Sequence, residues 1–95
     1  MPVVDPVLKD DGSAGFAAAC VGVLAAERGL SQRQGADLDV VGLRALSEWM
    51  FQASQRSSPF DDEIGRSTER RQWAERLSAD DRASRIRTCV QEASV

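Results

Sequence analysis

The chain has 95 residues with 12 basic and 15 acidic side chains, which give a formal net charge of −3. This length allows one domain, and the absence of histidine and tyrosine removes the commonest general base and one of its alternatives. No uninterrupted apolar run approaches the ~20 residues that span a bilayer, so we expect no contact with a membrane.

Residues 1–12 are predicted to form an extended N-terminal arm, and residues 13–95 a single helical domain. Pro2, Pro6 and Gly12 disfavour a helix in the arm. Its valines make it too apolar for a purely solvated tail, so we expect it to lie on the domain or on a partner.

The first helix is predicted to begin near Ser13 and to end at Gly29, where glycine tolerates a left-handed helix end. Large apolar side chains occupy one side, and glycine and alanine, including Ala18 and Gly22, occupy the other. Such a helix is either a central core helix or one whose small face lets a second copy come close.

The second helix is predicted over residues 38–55 as an amphipathic core helix. The residues that fall within one arc of its surface are Leu38, Leu43, Leu46, Trp49, Met50 and Ala53. Phe51 points away from this arc, toward the polar side that also holds Val40 and Arg44.

A third helix is predicted to start at Pro59, with acids at 61–63 in its first turn. We expect a break or kink at Gly65 and a new start near Ser67, because residues 65–72 include nothing apolar. The last helix is predicted from Ser78. No segment alternates as a strand does, so the sequence predicts an all-α fold, a small bundle of four to five helices.

Cys20 and Cys89 are expected to be separate buried thiols, with a disulfide as the alternative. Without histidine or paired cysteines, no zinc site is expected, and no other metal or cofactor is predicted. Residues 17–20 resemble a lipoprotein cleavage site, but the acidic stretch before them does not fit an export signal. We therefore expect a cytoplasmic protein, and its arginine and alanine content is typical of a GC-rich bacterial genome.

The arginine-rich region 66–87 could be taken for a DNA-binding surface. Acids at helical spacing neutralise it, however, and Asp80 and Asp81 would bring negative charge to the DNA at the start of the last helix. A solvated, ion-paired surface is the favoured interpretation, and nucleic acid is not the expected partner.

No enzymatic activity is expected. The acids at 61–63 are explained by a helix start, the cysteines have no adjacent base, and the scattered glycines form no phosphate loop.

The second helix has more large apolar residues than one buried face can hold, which indicates protein binding instead. An aromatic side chain beside arginine is typical of interface hot spots. The predicted binding residues are Phe51, Val40, Arg44, Trp49, Gly22 and Ala18. The alternative for Phe51 is that the chain turns back at Pro59 and residues 57–64 cover it.

The function predicted from these features is non-enzymatic: a small bacterial regulator that binds and sequesters a partner protein, such as a transcription factor. This choice rests on analogy with a function class. A thin core also favours a homodimer. The alternatives are a DNA-binding module that uses residues 66–87, and a structural subunit of a phage or secretion assembly.

Overall fold

Four helices make up the described part of the chain, which is residues 9–93 of a computed structural model. They are α1 (Ala14–Arg33), α2 (Val40–Arg56), α3 (Glu63–Glu75) and α4 (Ala79–Ala93). Residues 9–93 include no strand, so the predicted all-α helical bundle is confirmed, with four helices. Most of the predicted arm, residues 1–8, lies outside the described residues.

The start of α1 agrees with the prediction, because the Ser13 hydroxyl accepts a hydrogen bond from the Phe16 amide at 3.0 Å. The predicted end at Gly29 is wrong. The helix continues through Gly29 to Arg33, and the glycine with positive φ is Gly35, at 76°. One glycine inside a helix lowers its stability by only about 1 kcal/mol relative to alanine. The presence of Gly29 alone therefore does not determine where α1 ends.

The third helix also differs from its prediction. Residues 57–62 form a linker, and α3 begins at Glu63 behind the cap residue Asp62, whose carboxylate accepts the Gly65 amide at 2.9 Å. The predicted break at Gly65 is wrong, because the glycine lies in the first turn and leaves room for this cap. A Cβ at residue 65 would collide with the Asp62 carboxylate.

The last helix starts where predicted. The Ser78 hydroxyl accepts a hydrogen bond from the Asp81 amide at 3.1 Å, as an N-cap serine does. Asp39 caps α2 in the same way, with its carboxylate 2.7 Å from the Gly42 amide.

The bundle is built around α1, which packs against α2, α3 and α4. The buried apolar core is formed mainly by residues of α1 and α2. Its largest fully buried side chains are Trp49, Leu24, Val23, Cys20 and Cys89. The prediction of a central core helix is therefore confirmed.

The small face of α1 is covered by α3. A Cβ at Gly22 would lie 2.6 Å from the Arg70 carbonyl carbon and from the Arg71 amide nitrogen, and Ala18 is buried as well. This corrects the predicted role of Ala18 and Gly22, because the backbone that comes close to them belongs to the same chain. The face is not available to a second copy.

Gly22→Ala is expected to destabilise the domain by about 1–3 kcal/mol, since the added methyl group would push α1 and α3 apart. The matched control is Gly29→Ala on the same helix, where nothing lies within 4 Å of the new Cβ. That change is expected to stabilise the domain by up to about 1 kcal/mol. Urea unfolding of both variants tests the contact, and a gain of stability in both would contradict it.

The cysteines form a disulfide between α1 and α4, with their Cα atoms 5.6 Å apart. Their predicted burial is confirmed, and the prediction of separate thiols is wrong. The cause is tertiary: α4 packs on α1 so that the two residues face each other at a distance typical of disulfides.

Two further contacts hold α4. The indole Nε1 of Trp49 donates a hydrogen bond to the Cys89 carbonyl at 2.8 Å, and the Arg82 guanidinium lies 2.7 Å from the Glu27 carboxylate. Arg82 also donates to the Ala74 carbonyl of α3 at 3.4 Å and to the Leu77 carbonyl just after α3 at 2.9 Å. Thus α4 is joined to every other helix by a polar or covalent contact.

The described residues before α1 are tied to the far end of α2. The Arg56 guanidinium donates to both carboxylate oxygens of Asp10, at 2.8 and 2.9 Å, and to the Ser13 carbonyl at 3.2 Å. The hydrogen bond from Arg56 holds the pKa of Asp10 below its ordinary value. This pair fixes the entry of the chain into the bundle.

By length and composition alone, α1 could cross a bilayer, and half of the stretch that meets this test is buried inside the bundle. The sequence shows no long run of large apolar residues at α1, because alanines and glycines separate them. The core helix of a water-soluble domain shows the same pattern.

Candidate protein-interaction surface

The outward side of α2 carries apolar side chains that no other part of residues 9–93 covers. Val40 is 62% exposed and Phe51 is 56% exposed, whereas Leu46 and Ala53 on the opposite side are buried. We call this surface the α2 face. The residues that form it are Val40, Leu43, Arg44, Ser47 and Phe51.

The α2 face has a shallow depression next to Phe51. Val40, Leu43 and Arg44 line it, together with Ser47 and Glu48. Phe51 follows Ser47 by one helical turn, so its ring stands at the end of this depression. The predicted grouping of Val40, Arg44 and Phe51 on one side of the helix therefore agrees with the structure.

The alternative in which residues 57–64 cover Phe51 is wrong. The Phe51 ring is 56% exposed, and Phe60, the side chain best suited to cover it, is itself 97% exposed. Two aromatic rings that could have shielded each other are both open to solvent.

Arg44 gives the α2 face its charge. It is exposed and takes part in no ion pair among the described residues. A guanidinium with free donors next to an aromatic ring can bind a carboxylate or a carbonyl group of a partner.

One edge of α2 is ordered by a row of hydrogen bonds. Gln52 donates to the Glu48 carboxylate at 2.9 Å, and Arg56 donates to the Gln52 carbonyl oxygen at 3.3 Å before it reaches Asp10. The row limits the rotation of these side chains beside the α2 face. A surface held in this way loses less entropy when a partner binds.

The other predicted binding residues lie inside the bundle. Trp49 is 1% exposed, and Ala18 and Gly22 are buried beneath neighbouring helices. Trp49 and Phe51 are two residues apart and point about 200° away from each other on a helix, so the two rings cannot share one face. This corrects the inclusion of Trp49, which belongs to the core.

A second apolar surface, not predicted from the sequence, lies between α1, α2 and α3. We call it the α3 groove. Its floor includes Val21, Ala25 and Ala53, Met50 and Ile64 stand at its edges, and its volume is about 260 Å³. Met50 was predicted to be in the core and is instead half-exposed, and Ile64 is 81% exposed. The sequence signal for the α3 groove was Ile64, a β-branched aliphatic residue in an otherwise polar segment.

The acidic residues at 61–63 have structural partners. The Asp61 carboxylate accepts the Ser58 amide at 2.7 Å and pairs with Arg66 at 3.4 Å. The backbone hydrogen bond from Ser58 lowers the pKa of Asp61. With Asp62 capping α3, this part of the chain supports the interpretation as a helix start.

Several arginines of region 66–87 are occupied within the protein. Arg82 is buried and paired with Glu27, Arg71 pairs with Glu75 at 3.7 Å, and the Arg85 guanidinium lies 5.7 Å from the centre of the Trp73 ring. This arrangement favours the ion-paired surface over a surface that binds phosphates.

Two apolar surfaces on neighbouring sides of α2 are thus candidate binding surfaces of residues 9–93. The described residues include no group of three or more histidine, cysteine, aspartate or glutamate side chains placed to hold a metal ion. Comparison of the chain with protein-family models, with curated proteins and with solved structures finds no significant match.

Proposed function

We propose that this protein is non-enzymatic and acts by binding another protein through the α2 face, as a small regulator that sequesters its partner. The observation that carries the proposal is the exposed ring of Phe51 on the same face as Arg44, which pairs with no acid among residues 9–93. Full burial of such a ring contributes about 1.5–3 kcal/mol. An aromatic anchor with a neighbouring arginine is a frequent source of binding energy at interfaces.

The way α2 is held supports this proposal. Its inner side is anchored by Trp49, which contacts α4, and its last turn is anchored by Arg56, which binds Asp10. The α2 face is therefore presented on a fixed helix, and binding requires little rearrangement of the bundle.

The partner class that we propose is a bacterial transcription factor or an enzyme, and the regulator itself is proposed to be a homodimer. The acidic net charge of −3 is compatible with a basic partner such as a DNA-binding protein. The alternative of a structural subunit is supported by the α3 groove, because two separate surfaces on one chain can join several copies.

The location of the protein bears on this choice. The cytoplasmic location stays a prediction, and the disulfide between Cys20 and Cys89 argues against it. Disulfides persist in oxidising compartments and are rare in the cytoplasm. A regulator outside the cytoplasm would meet no transcription factor, so its partner would then be another protein of the same oxidising compartment.

Phe51→Arg is expected to abolish capture of the partner, with a loss of affinity of at least tenfold, while the melting temperature stays nearly constant. The measurement is affinity capture from the native host, with the captured protein identified by mass spectrometry and titrated against each variant. The matched control is Ser84→Arg, which places the same charge at an exposed position of α4.

Equal capture by Phe51→Arg and Ser84→Arg would remove the α2 face as the binding surface. If Phe51→Arg instead melted much earlier than the wild type, the ring would belong to the core, and the proposal would be wrong in its main residue.

A further inference from the structure

The α3 groove places an apolar projection beside an apolar depression. Ile64 is 81% exposed near the start of α3, where neighbouring residues are polar or charged. The depression next to it is lined by Val21, Ala25, Met50 and Ala53 and has a volume of about 260 Å³. Solvent contact at both features is unfavourable, and burial of one inside the other would relieve it.

We propose that two copies of this chain meet at the α3 groove around a two-fold axis, each inserting its Ile64 into the groove of the other. An interface of this symmetry requires the projection and the depression to lie on the same surface, as they do here. This inference rests on the homodimer of the proposed function. It places the dimer contact at the α3 groove and not at the small face of α1.

The charges along the groove fit a second copy in one orientation. Glu63 and Arg71 both line the groove and lie eight residues apart, about 12 Å along the axis of α3. When two α3 helices pack antiparallel, Glu63 of each copy lies opposite Arg71 of the other. A parallel arrangement would oppose like charges, so the charge pattern selects the antiparallel dimer.

Arg71 can exchange its partner within the chain, Glu75, for the Glu63 of a second copy. Its pairing with Glu75 inside one chain is long, at 3.7 Å, and both side chains are about half exposed. Such surface pairs contribute little to the stability of a fold. Transfer of Arg71 to the Glu63 of a second copy therefore costs the monomer little.

Exposed apolar side chains in and before α3 add to the area that a dimer contact could bury. Phe60 is almost fully exposed, four residues before Ile64 in the linker that enters α3, and Met50 stands half-exposed at the opposite edge. An aromatic side chain can bury about 150–250 Å². With Ile64 and Met50 it would supply up to roughly half of the 800 Å² that each partner of a standard interface buries.

Size-exclusion chromatography with light scattering at micromolar concentration tests the proposal. The wild type is expected at twice the 10.3 kDa chain mass, and Ile64→Asp at the mass of one chain. Ser84→Asp on α4 is the matched control and is expected to remain dimeric. Circular dichroism checks that each variant stays helical, as expected for changes at exposed positions.

A charge exchange tests the orientation. Glu63→Arg and Arg71→Glu are each expected to weaken the dimer at least threefold, because each places like charges opposite one another. The double variant is expected to recover the dissociation constant of the wild type. Failure of the double variant to recover, with helical content intact, would overturn the antiparallel contact.

The remaining outcomes separate this inference from the proposed function. A monomeric wild type over the whole range would overturn the homodimer and this contact together, and leave partner capture by the α2 face to its own test. A dimer that survives Ile64→Asp, or that Phe51→Arg dissociates instead, would keep the homodimer and overturn the α3 groove as its contact.

Discussion

Replacing both cysteines by alanine is expected to lower the free energy of unfolding by about 4 kcal/mol. The disulfide joins residues 69 positions apart, and a closed loop of this size removes much of the conformational entropy of the unfolded chain. Small domains have total stabilities of about 5–15 kcal/mol, so this loss is a large part of the whole. Alanine is chosen because it leaves no buried hydroxyl group without a partner.

Urea unfolding of the wild type and of the double variant, each with and without a reductant, measures this effect. Reductant should destabilise the wild type and leave the double variant unchanged. A difference below about 1 kcal/mol between the two oxidised proteins would contradict the expected constraint on the unfolded chain.

Trp49→Ala is expected to destabilise the domain by about 3–5 kcal/mol, the usual cost of removing a large aromatic side chain from a core. The indole is 1% exposed. It meets the Phe16 ring edge-on with centroids 5.2 Å apart, and the Arg56 guanidinium lies 5.3 Å from its centre. Its Nε1 also donates to the Cys89 carbonyl, so the truncation weakens the contacts of α1, α2 and α4 at once.

Trp49→Phe is the matched control, because it keeps an aromatic ring in the core and loses the hydrogen bond. The net value of one such hydrogen bond is about 1 kcal/mol, so this variant should lose far less stability than Trp49→Ala. Thermal unfolding followed by circular dichroism compares the two. Equal losses would mean that the hydrogen bond to α4, and not the packing of the ring, dominates the role of Trp49.

Helical periodicity and helix caps were the features that could be predicted from the sequence. The buried stripe of α2 follows from the spacing of Leu46, Trp49 and Ala53, and the starts at Ser13 and Ser78 follow from serine caps. These signals are local, because the residues that make them lie within two turns of each other.

The features that were missed depend on contacts between distant parts of the chain. The pairing of Cys20 with Cys89 and the burial of Gly22 under α3 both require the helices to be placed first. The unbroken α3 was missed for a different reason: Asp62 rather than a residue near Pro59 supplies the cap, which moves Gly65 into the first turn.

The candidate surfaces were predicted only in part, because the sequence indicates local relations and not contacts between distant residues. Phe51 could be placed outside because it points away from Trp49 on the helix, a purely local relation. Met50 lies only about 100° from Trp49, and its exposure depends on how α3 sits across α1 and α2. Nothing in the neighbourhood of Met50 in the sequence indicates the groove beside it.

The disulfide also decides how the protein carries mechanical load. A pull applied at the two ends of the chain passes from α1 to α4 through the bond between Cys20 and Cys89. The intervening chain, which includes α2 and α3, lies outside the covalent path of that load. While the bond is intact, only the residues outside the two cysteines can be drawn out into extended chain, and both Phe51 and Ile64 lie in the closed loop between them.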